Sequence, residues 1–385
     1  MTNNTREKVT ASSPTGDPYL LTPGPLTTSP TVKQAMLHDY GSRDSTFIDL
    51  NARVLKRLLR IANGEGTHVC VPLQGSGTFV VEAMMGCFVP ADGKVLILVN
   101  GAYGHRIAKI CDYYHRDYLI QECAEDVPVN TEELDATLAS DPAISHVVVV
   151  YCETTSGILN PLREVSDIVA RHQRSLLIDA MSAFGAIALD AREITFDAMV
   201  ASSNKCLEGA PGVGFCIARE SALQQTEGNS PSLSLDLYDQ WRAMEKNRQW
   251  RFTPPTHVLL AFAQALSEFD DEGGVEGRGN RYQKNCDLLI SGMREMGFKT
   301  LLPDNLQAPI IITFHMPANP EFKFNAFYDG LREQGYVIYP GKLTVADSFR
   351  MGCIGRLGLE QMQGALDAVA KILAKFGIDK IINAE

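Results

Sequence analysis

The sequence predicts an α/β protein in which a large domain, built on a mainly parallel seven-stranded sheet, precedes a smaller C-terminal α/β domain. Three observations carry that prediction. Between residues 67 and 219, short β-branched apolar runs alternate with longer amphipathic stretches, the pattern of strands covered by helices on both faces. A long apolar helix then runs into the acidic break Asp270-Asp271-Glu272-Gly273-Gly274. After that break a second, shorter alternation of helices and strands begins.

The predicted strands lie at 67–74, 94–99, 118–121, 146–152, 175–179, 198–202 and 213–218. Helices are predicted at 78–88, 103–114, 131–140 and 161–172. The link between 205 and 213 is rich in glycine and too short for a crossover helix, so the last strand is expected to run antiparallel. A polar-aromatic helix follows at 236–249. Thr253-Pro254-Pro255 breaks it, and the long apolar helix occupies 256–269. Beyond the acidic break, strands are predicted at 310–315 and 337–338, with helices at 278–296, 325–334 and 359–376. Domain limits follow: a polar, disordered tail over 1–17, a large domain over 18–262 whose first residues pack on the small one, and a small domain over 263–385.

Composition narrows the function. The chain has 385 residues, 45% of them hydrophobic and 21% charged, which is ordinary for a soluble globular protein. A formal net charge of −11 without a cluster of Lys and Arg argues against a nucleic-acid partner. The tail, with no apolar segment, is read as neither a signal peptide nor a membrane span. Nine scattered cysteines form no Cys-x-x-Cys pair and no Cys/His metal spacing, so a reducing cytoplasm and no metal are expected.

The chemistry begins at Lys205, on the loop Ser202-Ser203-Asn204-Lys205-Cys206-Leu207-Glu208-Gly209-Ala210-Pro211-Gly212. Upstream, Asp179 closes the buried run Ser175-Leu176-Leu177-Ile178. A lysine amine can hold an aldehyde as a Schiff base, and a carboxylate can keep a pyridine nitrogen protonated; together they point to pyridoxal phosphate. Either residue alone reads more simply, as a solvated loop charge or a helix cap. Cys206 could act as a nucleophile, but the sequence supplies no base for it.

Other loops converge on the same sheet edge, where open α/β sheets bind ligands. Gln74-Gly75-Ser76-Gly77-Thr78 joins a strand to a helix and offers N–H groups and hydroxyls to a phosphate, or else is an ordinary turn with Ser76 as N-cap. Asn100-Gly101-Ala102-Tyr103-Gly104-His105-Arg106 brings an aromatic that can stack on a planar group, and Glu153-Thr154-Thr155-Ser156-Gly157 brings hydroxyls.

With these motifs, together with Leu21-Thr22-Pro23-Gly24-Pro25-Leu26 and Arg251-Phe252-Thr253-Pro254-Pro255-Thr256, the chain from Tyr19 to about Phe376 resembles the class V aminotransferases. The resemblance implies the type I fold of pyridoxal-phosphate transferases. It implies that Lys205 binds the cofactor, Asp179 meets its ring nitrogen, and Ser76, Gly77 and Thr78 hold its phosphate. Tyr103 is expected to stack on the ring and Thr154 to face its phenolic oxygen. It further implies a homodimer with shared active sites, in which Thr253 reaches the neighbouring subunit's phosphate. Arg350 matches the arginine that takes the substrate's acidic group.

The substrates would be a small amine donor and a 2-oxo acid. The Gln-Gly-Ser-Gly-Thr-Phe turn and the Glu-Thr-Thr-Ser-Gly loop look most like the branch acting on 2-aminoethylphosphonate and pyruvate. Alanine–glyoxylate or serine–pyruvate transfer is the alternative. A lyase of the cysteine desulfurase type would need a mobile cysteine, for which Cys353 is the candidate. A sheet protein whose lysine and aspartate are only structural stands outside all of these.

Overall fold

In the computed structural model, which describes residues 11–341 and 347–383, the large sheet has seven strands. Their order is His68–Gly75, Gly212–Arg219, Ala198–Ser202, Ser175–Asp179, Ile144–Val150, Lys94–Val99 and Asp117–Glu122. All neighbours run parallel except Gly212–Arg219, which is antiparallel to both strands it pairs with. The expected reversal is therefore present, and it follows from the shortness of the lysine loop. The central strands are apolar on both faces, as in Val147-Val148-Val149-Val150, where all four side chains are buried.

One face of the sheet packs Val80, Met84 and Ile107 from the helices Gly77–Phe88 and Ala102–Tyr114. The other packs Val54 and Leu58 of Ser45–Ile61, Val165 of Leu162–Arg171, and Phe262, Leu266 and Phe269 of Thr256–Asp271. That last helix spans the division expected at residue 262. The helix Ser45–Ile61 was not predicted, although Phe47, Val54 and Leu58 recur on its buried face and Asp44 caps it by accepting from the Thr46 N–H.

The C-terminal part folds on a three-stranded antiparallel sheet, with Ser348–Gly352 between Ile311–His315 and Tyr339–Pro340. Its core is a knot of aromatic rings: Phe349 lies 5.4–6.1 Å from Phe298, Phe314, Phe324 and Phe327. The strand Ser348–Gly352, which carries Arg350, was not predicted. The expected strand at 337–338 lies one residue earlier, at Tyr336–Val337, and pairs with Tyr19–Leu20, near the start of the large domain.

Residues 1–10 of the expected disordered tail lie outside the described residues. Residues 11–17 depart from that expectation. Ala11 N donates to Gln334 O, Ser13 is buried, and Asp17 pairs with Lys33. Ala11 packs on the small-domain core, and short polar side chains satisfy one another in the rest of the turn.

Because Phe349 is fully buried among four rings, Phe349→Ala should lower stability by about 3–5 kcal/mol, read from chemical denaturation.

Candidate active site

The parallel strands deliver their C-terminal ends to one edge, and a cavity of about 450 Å³ opens there. Gly75, Ser76, Gly77, Thr78, Tyr103, Thr154, Asp179 and Lys205 all line it, so one cavity gathers all the expected cofactor residues except Thr253.

Ser76 occupies the N-cap position of the helix Gly77–Phe88, but its hydroxyl makes no capping hydrogen bond. The first N–H groups of a helix lack intrahelical partners, so this end offers donors, a hydroxyl and a positive dipole to an anion. A Cβ at position 77 would stand 2.7 Å from Met181 Sδ, so that flexible side chain would have to shift. Glycine there lets the backbone approach the cavity.

Asp179 ends its strand almost fully buried, with Oδ1 accepting from the Met181 N–H at 3.0 Å. Burial pushes its carboxyl up to about 6, against the pull of that hydrogen bond and of the cations Lys205 and Arg106. Across the cavity, Lys205 Nζ donates to Pro23 O at 2.9 Å. Burial lowers the lysine's pKa, while Cys206, Asp179 and Cys152 oppose the shift. Gly24, at φ +129°, is needed beside it, since a Cβ would lie 2.9 Å from Lys205 Cδ.

Thr154 is held by the small domain. Arg350 Nη1 donates to its carbonyl at 2.9 Å, and Arg350 Nε donates to Pro340 O at 3.2 Å. Arg350 is 2% exposed and meets the cavity through Thr154 rather than lining it. Burial lowers its pKa, opposed by the field of Tyr103, Glu153 and Tyr339. Thr253 lines a different cavity of about 470 Å³, with Gln74, Gly75, Phe79 and Phe252; Gly75 is common to both. Phe79 and Phe252 are about half exposed beside it.

Sequence reading left Arg106 and Glu153 without roles. The Arg106 guanidinium sits 4.6 Å from the Tyr103 ring centroid and donates to Thr78 Oγ1 at 3.2 Å. Buried Glu153 accepts from the Tyr103 N–H and from both the N–H and hydroxyl of Thr155. Arg106 stands three residues after Tyr103 on one helix, a spacing that places both on one face and could have flagged it. Cys206 is buried, its thiol pushed up to about 12 chiefly by burial. Cys353 is likewise buried and shifted upward, and lies outside the cavity lining. Neither has the exposed, electropositive setting of a nucleophilic thiol. Among the described residues, no group of three or more His, Cys, Asp or Glu could hold a metal, and no helix is long and apolar enough to cross a membrane.

An amine facing a buried carboxylate, above a helix end with an uncommitted serine hydroxyl, suits the aldehyde, ring nitrogen and phosphate of pyridoxal phosphate. Fold and cavity are those of a pyridoxal-phosphate transferase.

Comparison with known proteins narrows this. The family described as aminotransferase class-V matches residues 92–347. The chain is 54% identical, over 96% of its own length and 100% of the relative's, to a protein of Polaromonas named 2-aminoethylphosphonate–pyruvate transaminase. It is 52% identical to one of the same name from Pseudomonas aeruginosa, over 94% of this chain and 98% of that one. Among solved structures, pyridoxamine–pyruvate aminotransferase of Mesorhizobium loti superposes with a TM-score of 0.87 at 23% identity, covering 96% of this chain and 95% of that one. The chain therefore belongs to the class V aminotransferases and is a pyridoxal-phosphate-dependent transaminase, taking an amine donor and a keto-acid acceptor.

The Asp179 shift has a measurable consequence in the cofactor-free protein. Its folded pKa of about 6 exceeds the ordinary 3.8, so between those values the native state holds more protons than the unfolded chain. Stability associated with Asp179 is present below 3.8 and is lost as pH rises to about 6. Asp179→Asn should therefore stabilise the apoprotein above pH 6, by up to about 3 kcal/mol, and have little effect below pH 4. Denaturant midpoints across pH would check it.

Proposed function

We propose that this transaminase moves the amino group of 2-aminoethylphosphonate to pyruvate, giving phosphonoacetaldehyde and L-alanine. The observation that carries the proposal is near-full-length identity of 52–54% to proteins named for that reaction. Arg350, a buried cation tied to the cavity wall through Thr154, supports it. The donor has no carboxylate on its amine carbon, so recognition rests on the doubly charged phosphonate one carbon further out. An arginine fork offers paired donors to phosphonate and carboxylate alike, and serves pyruvate in the second half-reaction.

Ser76, Gly77 and Thr78 would hold the cofactor's phosphate at the helix end. Tyr103 would cover the ring, Thr154 would face its phenolic oxygen, and Asp179 would stand against its nitrogen. When bound, pyridoxal phosphate supplies an electron sink for the carbon that bears the transferred amine. Lys205 Nζ takes the proton from that carbon of the donor, and burial favours the unprotonated amine that can accept it. Asp179, kept as a carboxylate by a cationic partner, would see its own pKa fall from about 6.

The working unit is a homodimer. Thr253 lines a cavity separated from Lys205 by the Gly75 turn, with half-exposed Phe79 and Phe252 beside it, which supports its service to the neighbouring subunit's phosphate. A reducing cytoplasm suits nine free cysteines.

Donor profiling with purified protein, pyridoxal phosphate and pyruvate should rank 2-aminoethylphosphonate first. Faster exchange between alanine and glyoxylate would overturn the substrate assignment. Arg350→Lys keeps the charge but loses the paired donors, and should cost both half-reactions about 1.5–3 kcal/mol, roughly ten- to a hundredfold in kcat/KM.

Lys205→Ala should abolish turnover without unfolding the chain. Mixed with an inactive Thr253 variant under conditions of verified subunit exchange, it should recover part of the activity through hybrid sites. No recovery would count against the shared geometry.

A further inference from the structure

Three residues after Lys205, Glu208 combines two costs that a loop residue normally avoids. It sits at φ +56°, in the left-handed region that few residues other than glycine and asparagine adopt. The residue is only 3% exposed. Burying a charge network is often no more stabilising than burying apolar groups of the same volume, and strained backbone persists where the surroundings over-determine it. Both features at one residue of the lysine loop need a reason other than stability.

The surroundings supply it. Glu208 Oε1 accepts from Arg281 Nη2 at 2.7 Å and from the Tyr282 hydroxyl at 2.6 Å, with Arg278 Nη1 at 3.6 Å. Both arginines also hold Glu272: Arg278 Nε donates to its Oε2 at 2.7 Å, and Arg281 donates from Nε at 2.5 Å and from Nη2 at 3.1 Å. Burial works against the ionised Glu272, but these contacts outweigh it and hold the carboxyl at about 2.

The same guanidinium groups grip two backbone segments. Arg278 Nη1 donates to Cys206 O, the carbonyl next to Lys205. Arg281 Nη1 donates to Gly355 O and Leu357 O, in the loop that follows the Arg350 strand, and Gly355 N donates to the Tyr282 hydroxyl. One buried cluster on the helix Gly274–Glu295 thus joins the lysine loop to the chain that leaves Arg350.

We infer that Glu208 is a positioning residue: through Arg281 and Tyr282 it fixes how Lys205 is presented to the cofactor and how far it stands from Arg350. The inference rests on Lys205 being the cofactor lysine. Its cost in backbone strain and buried charge goes to geometry, and a small displacement of a reacting group is enough to reduce turnover steeply.

Glu208→Gly tests it most cleanly, because glycine accepts φ +56° without strain and so leaves the loop conformation available. Glu208→Gln keeps the length and an acceptor for Tyr282 but removes the charge. Tyr282→Phe removes one donor and leaves the charges alone, should Glu208→Gln fold poorly. Each is read in three ways: thermal midpoint, kcat and KM with 2-aminoethylphosphonate and pyruvate, and the rate at which added pyridoxal phosphate develops its visible band with the apoprotein. Glu208→Gly should keep a folded spectrum, lose about tenfold in kcat with KM for both substrates within about threefold, and acquire the visible band about tenfold more slowly. Glu208→Gln and Tyr282→Phe should show the same losses in smaller degree. A folded Glu208→Gly with unchanged kcat and unchanged band formation overturns the inference. So do losses that appear only near the thermal midpoint and vanish on cooling. If the parent protein itself forms no Lys205-dependent band, the cofactor assignment fails first, and the inference falls with it.

Discussion

The site depends on two opposite charges taken out of bulk water at the edge of a parallel sheet. Asp179 is carried there by its strand, and Lys205 by the short link between Ala198–Ser202 and the antiparallel Gly212–Arg219. Each is pushed toward its neutral form by burial and pulled back toward charge by the other. A ring with a basic nitrogen and an aldehyde suits that pair of groups. The helix end at Ser76 adds a third demand, for an anion. Three features at one strand edge define a ligand more sharply than any one motif does.

Outside this centre the small domain buttresses the loop that carries Thr154. Its central strand places Arg350 on the carbonyl of Thr154, and Thr313 of the adjacent strand donates to Thr155 O. Gly157 closes the same loop against Ile311, where a Cβ would lie 2.3 Å from the carbonyl oxygen. The Glu-Thr-Thr-Ser-Gly segment is thus an interdomain seam as well as a cavity wall. Glu153 ties the seam to Tyr103 through the Tyr103 N–H. Cavity lining and domain contact are served by neighbouring atoms of one short loop.

The seven strands of the large sheet were legible in the sequence because each is a run of β-branched or apolar residues ending in a loop of small ones. Lys205, Asp179 and the Ser76 turn, each ambiguous alone, were singled out because all fall at the same ends of the strands. The strand Ser348–Gly352 was not, because five residues of mixed polarity acquire meaning only when Phe349 and Met351 find the aromatic core. Residues 11–17 read as a polar tail because nothing in their composition records that Gln334 waits for Ala11. The Glu208–Arg281–Tyr282 cluster was invisible for a related reason. Its partners lie more than seventy positions apart, and surface arginines and glutamates look the same on paper as buried ones.

The path of the first described residues has one more consequence. Tyr19–Leu20 is stitched into the small domain beside Tyr336–Val337. Three positions later Pro23 presents its carbonyl to Lys205 Nζ, and Ser29 anchors on Glu268 of a helix packed against the large sheet. The segment is therefore a strap fastened at both ends to different bodies and touching the reactive amine in the middle. A shift of the small domain relative to the large sheet would draw on this strap and change the amine's acceptor directly. Ten residues, from Leu20 to Ser29, thus connect the small domain, the Lys205 amine and the helix packed on the large sheet.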